Sequence, residues 1–135
     1  MTTFGNIDDY ITDGDIELSG IDISIGRGRY FTIRRAGGAN KEFETYLSHQ
    51  MKQNKRRIKA GDEDLATSIM YDIYSKKIVI GWGGFKDDKG KDVPYTPAKC
   101  VELFEQAEDL WKVVLEESQN INNFRKEHIE EVGNV

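Results

Sequence analysis

The sequence predicts an α+β fold, with a small N-terminal antiparallel β meander packed on a mainly α-helical domain of about five helices. Three observations carry this. Short stretches before residue 35 alternate apolar and polar residues, the period of a half-buried strand. From residue 40 onward apolar residues recur at intervals of three and four, the period of one helical face. Between two charged, helix-favouring regions lies Ile80-Gly81-Trp82-Gly83-Gly84-Phe85, running on through Asp88-Lys89-Gly90 to Val93-Pro94-Tyr95-Thr96-Pro97. This stretch holds four glycines, both prolines of the chain and three aromatics. Glycine reaches backbone angles that other residues avoid and proline fixes its own, so the segment has a defined non-helical path.

Each element can be justified in order. Residues 1–15 are polar and turn-rich, with Phe4, Ile7, Tyr10 and Ile11 scattered among them, and read as a loose arm. The meander spans 16–35: Ile16-Glu17-Leu18, a turn or bulge at Gly20, Ile21-Asp22-Ile23-Ser24-Ile25, a hairpin loop at Gly26-Arg27-Gly28-Arg29, and Tyr30 to Arg34. A sheet this small needs a helix packed on it. The helical part spans 40–132. Asn40 is the expected N-cap of a helix whose stripe is Phe43, Leu47, Met51 and Ile58 and whose end falls near Lys59-Ala60-Gly61. Asp62 caps a second, central helix that runs into Ile78-Val79-Ile80 and stops at Gly81. A Gly/aromatic loop over 81–96 follows. Thr96-Pro97 starts a third helix, since the hydroxyl can cap and the proline sits where its missing N–H costs least. The apolar phase shifts near Glu108-Asp109, which predicts two short helices with a kink, with one continuous helix over 97–118 as the alternative. Phe124 and Ile129 anchor a last polar helix.

A chain of 135 residues suits one domain, so 1–135 reads as a single unit. The net charge of -5 argues against general nucleic-acid binding, which depends on excess Lys and Arg. Cys100 is the only cysteine, so no disulfide can form within the chain and zinc sites with several Cys ligands are excluded. No apolar run resembles a signal peptide or reaches membrane-spanning length, and the expectation is a cytoplasmic protein without membrane partners.

The residues present no catalytic, cofactor or metal constellation. His49 and His128 sit among charged residues and read as surface histidines; Cys100, among apolar neighbours, reads as a buried inert thiol. Gly26-Arg27-Gly28-Arg29 and Ala36-Gly37-Gly38-Ala39-Asn40 lack the lysine and hydroxyl of a phosphate loop. The cations from Lys52 to Lys59 read as a solvated helix end, with nucleic-acid binding as the alternative. Glu116-Glu117 and Glu130-Glu131 are sequence neighbours that point about 100° apart on a helix, so neither is a catalytic dyad. Trp82, Phe85 and Tyr95 either close the core or stay exposed as an anchor for an apolar partner.

One resemblance gives these residues a direction. Phe31-Thr32-Ile33-Arg34-Arg35-Ala36-Gly37-Gly38-Ala39-Asn40-Lys41-Glu42-Phe43 resembles the strand–glycine–asparagine–helix junction of tail assembly chaperones from long-tailed phages. Ile80 to Phe85, Asp88 to Lys91, Val93 to Pro97 and Asn123-Phe124 are similar to that family's second half, in the same order and spacing. Many such sequences carry a helix-breaking proline near the position of Glu108, and this one has none. The resemblance implies a non-enzymatic protein of the host bacterial cytoplasm, absent from the mature virion. Its implied partner is the tape measure protein, a long helical chain that sets tail length. It further implies a frameshifted longer form that recruits the tail tube protein, a homo-oligomer, no cofactor and no nucleic acid. Trp82, Phe85, Tyr95 and Phe124 become the candidate partner-binding residues. A structural tail or head–tail joining protein and a nucleic-acid-binding regulator using Lys52 to Lys59 are the competing expectations.

Overall fold

The computed structural model describes residues 1–125 and is α+β, six helices with one three-stranded antiparallel sheet among those residues. A 3₁₀ turn at Asp8–Tyr10 precedes α1 (Gly14–Ser19), β1 (Ile21–Ser24) and β2 (Tyr30–Ile33). Next come α2 (Lys41–Gln53), α3 (Lys55–Lys59), α4 (Glu63–Lys77) and β3 (Val79–Gly83). Helices α5 (Pro97–Gln106) and α6 (Glu108–Gln119) follow, then a 3₁₀ turn at Ile121–Phe124.

The sheet runs in the order β1-β2-β3. Ile23 lies opposite Phe31, and Phe31 lies opposite Trp82. Phe31 and Ile33 are fully buried against the helices, while Tyr30 on the opposite face is exposed. The expected 16–18 strand is not part of this sheet. Those residues belong to α1, because the Asp13 carboxylate accepts from the backbone N–H groups of Asp15 and Ile16 and so starts a helical turn. Three alternating residues are too few to separate the two periods. The third strand comes instead from the Gly/aromatic stretch, so the sheet is closed by a segment some fifty positions downstream of its hairpin. Accordingly α4 ends at Lys77, short of the expected Ile80, and the first residues of the expected 81–96 loop are strand.

The expected caps are in place. Asn40 Oδ1 accepts from Phe43 N at 3.4 Å, Asp62 Oδ1 from Leu65 N at 3.0 Å, and Thr96 Oγ1 from Lys99 N at 3.1 Å. Asn40 also donates through Nδ2 to the carbonyls of Arg35 and Lys77, each at 3.0 Å. One buried side chain thereby joins the exit of β2, the start of α2 and the end of α4. The helix expected from Asn40 to Lys59 is divided at Asn54, which leaves helical geometry as its side chain donates to the Gln50 carbonyl at 2.8 Å. The predicted division near Glu108 falls at Ala107, whose φ of -140° and ψ of 81° are not helical. The helix expected around Ile129, with His128 and Glu130-Glu131, lies outside the described residues.

One polar pair goes unannounced by any local pattern. Glu17 is buried, bonds Arg35 Nη1 at 2.5 Å, and accepts from Ala39 N at 3.2 Å. Removing one partner of such a pair leaves an uncompensated buried charge, which is why the two act as a clamp between α1 and the loop before α2.

Candidate functional site

The candidate residues Trp82, Phe85 and Tyr95 are brought together. Trp82 leaves β3 with its ring on the core face, and two glycines turn the chain behind it. Gly84 has a φ of +80°, and a Cβ there would stand 2.2 Å from the Gly28 carbonyl oxygen, so this position accepts only glycine without rearrangement. The turn delivers Phe85 back under Trp82, ring centroids 4.7 Å apart, and against Phe31 at 5.2 Å. Val93 returns beside it: its N–H donates to the Phe85 carbonyl at 2.9 Å and its carbonyl accepts from Trp82 Nε1 at 2.8 Å. Tyr95 meets Trp82 edge-on at 5.1 Å, and its hydroxyl reaches the carbonyls of Ser75 and Val79. Between Phe85 and Val93 a tight loop is held by Asp87, which accepts from the N–H groups of Lys89 and Lys91, and by a 2.6 Å Lys86–Asp92 ion pair.

Phe85 is buried, whereas Trp82 and Tyr95 are half-buried. The Trp82 and Phe85 rings line one wall of a groove of about 230 Å³ whose other wall is α5. Val93 and Leu103 complete an apolar floor; Lys86, Asp87, Lys99 and Glu102 form a charged rim. Leu103 was not singled out from sequence, although it sits one helical turn from Cys100 on the same stripe. Phe124 is not part of this cluster. It is fully buried beneath α1, and its carbonyl accepts from Asp13 N at 2.8 Å.

Beneath the site lies Cys100, fully buried. Burial pushes its thiol up to about 12, and burial followed by the neighbouring thiol raises the Tyr95 phenol. Both groups are neutral across the physiological range, so this corner presents packing surface and no nucleophile. His49 is exposed, as are Lys52, Lys55, Arg56, Arg57 and Lys59, with Arg57 paired to Asp62 at 3.2 Å. Among the described residues, no group of three or more His, Cys, Asp or Glu could hold a metal ion, and no helix is long and apolar enough to cross a membrane.

No match is found among curated proteins or among solved structures. A family model does match, over residues 39–134, from the residue before the Asn40 cap through α6 and beyond. That span takes in the groove, Trp82, Phe85, Tyr95 and all helices after α1, well over half of the chain, and its description is YdaY prophage protein. The chain therefore belongs to the YdaY prophage protein family and is a phage-associated protein.

Proposed function

We propose that this protein is a non-enzymatic chaperone of phage tail assembly. In this reading it binds the tape measure protein in the host bacterial cytoplasm and keeps it soluble until tail tube subunits polymerise around it. The observation that carries the reading is the groove beside Trp82. An apolar floor of Phe85, Val93 and Leu103 with a rim of both charge signs suits one face of an amphipathic helix. The ordered series of motifs from Phe31 to Phe124 and membership of a prophage family point the same way. A long amphipathic helix exposes an apolar stripe until the tube covers it, and many modest contacts along it would shield the stripe and still release it. A frameshifted longer form would bring in the tail tube protein.

Co-expression tests this. The tape measure protein is expected to move from the insoluble to the soluble fraction when this chain is present, and Leu103→Lys, which puts a charge on the groove floor, is expected to abolish the effect while the variant stays folded. Unchanged solubility with the wild-type chain would defeat the proposal, as would finding the protein in stoichiometric amount in purified virions.

A further inference from the structure

The exposed large apolar residues fall into two places. Met1, Phe4, Ile7, Tyr10 and Ile11 lie on the N-terminal arm; Leu18, Tyr30 and Ile80 surround the outer face of the sheet. Among the described residues there is no third group of this kind. Each place is short of what the other supplies.

The outer face is built to receive a chain. Its β3 floor is Gly81 and Gly83, with the Tyr30 ring lying across Gly83, where a Cβ would meet that ring at 2.3 Å. At Gly81 the φ is not positive, and a Cβ would meet nothing within 4 Å. Neither conformation nor internal packing requires glycine there, yet a strand loses stability through it. What a glycine at this position does provide is a flat floor that another backbone can approach closely. Ile80, the extra residue at the β2/β3 register shift, walls the floor on one side, with its tip against Gly20.

Charge matches the two surfaces. Residues 1–13 contain Asp8, Asp9 and Asp13 and no Lys or Arg. The face is bracketed along β2 by Arg27 at the hairpin, which makes no ion pair among the described residues, and by Arg34 beyond Ile33, whose guanidinium already donates to the Leu18 carbonyl at 2.6 Å and lies 3.7 Å from Glu42; the face's own Asp22 is held by the Thr32 hydroxyl at 2.6 Å. The arm's base is committed elsewhere on its own chain. Asp13 N–H donates to the Phe124 carbonyl, Thr12 bridges to Arg125, and Arg125 Nη1 donates to the Asp9 carbonyl. Those bonds lead the arm along the Phe124–Arg125 segment and leave its apolar tip and the sheet face both uncovered. Extended, the seven residues before the 3₁₀ turn span up to about 25 Å, enough to reach a neighbour.

We propose that the arm of one copy docks on the outer sheet face of a second copy, over Tyr30, Ile80 and the Gly81 floor. Reciprocal exchange closes a two-fold dimer, since the same pair of surfaces is used twice. Sedimentation velocity on the purified full-length chain, without any tape measure protein, tests this independently of the chaperone reading. The wild type is expected to dimerise, less so at high salt as the carboxylate–guanidinium attraction is screened. Phe4→Ala with Tyr10→Ala, or Ile80→Lys alone, is expected to weaken the dimer about tenfold or more. Both sites are solvent-exposed, and unchanged circular dichroism checks that each variant is folded. Mixing the arm variant with the face variant is expected to recover part of the association, because one intact arm then meets one intact face. Tyr10→Cys with Ile80→Cys should give an oxidised, covalent dimer. A monomer at all concentrations, a dimer indifferent to both variants, or a purely intramolecular disulfide would each overturn the proposal.

Discussion

Two aromatic clusters meet at Phe104 and are held by different means. In the first, Tyr71, Tyr74, Phe104 and Trp111 come from α4, α5 and α6, with ring centroids 4.8 to 5.5 Å apart. Helical spacing alone brings these residues to one side, and dispersion and burial hold them. In the second, Phe31, Trp82, Phe85 and Tyr95 come from two strands and a loop. Their placement needs a left-handed glycine, a Trp N–H bond to a loop carbonyl and a tyrosine hydroxyl reaching back to α4 and β3. The helical cluster is specified by periodicity. The loop cluster is specified position by position, and it is the one that opens onto a groove. Irregular backbone here trades redundancy for a shaped surface.

The largest test of this contrast is truncation. Phe104→Ala should cost about 3–5 kcal/mol in chemical denaturation, because a fully buried ring is lost from the shared centre. Trp82→Ala should cost less, about 2–3 kcal/mol, since its ring is only partly buried and lines the groove; equal losses would erase the distinction between a closed and an open cluster. Next comes Gly84→Ala, expected to cost about 2 kcal/mol or more through the positive φ and the contact with Gly28, with a shift in Trp82 fluorescence. A neutral result would mean the turn is not fixed by its glycine. The smallest effect per step is pH dependence, although it accumulates across the alkaline window. The Cys100 thiol is raised on folding, so its contribution is complete below its unfolded value of about 8.5 and is lost as pH climbs toward about 12. In that window the unfolded chain binds fewer protons, and stability should fall by about 1.4 kcal/mol per pH unit from this group. Cys100→Val should flatten the slope in alkaline denaturation; an unchanged slope would place the titration elsewhere.

How much could be read beforehand follows the same division. Asn40, Asp62 and Thr96-Pro97 declare helix starts because capping is a local bond between a short polar side chain and an N–H three residues on. The Gly26–Arg29 hairpin is equally local. The pairing of β3 with β2 was hidden, because glycines at 81 and 83 erase the alternation that marks a strand and the partner lies far away in sequence. Of the site, Trp82, Phe85 and Tyr95 were visible as aromatics in a loop that had to put them somewhere. Leu103 was hidden among the many apolar residues of an ordinary helical stripe, and Phe124 is drawn into the interior under α1, a segment whose helical state the sequence did not disclose.

The triple attachment of Asn40 has a further consequence. With one amide group fastening β2, α2 and α4, those elements cannot fray one at a time without breaking the bonds that the Arg35 and Lys77 carbonyls make to a fully buried side chain. Hydrogen exchange in this half of the molecule is thus expected to follow a shared opening event.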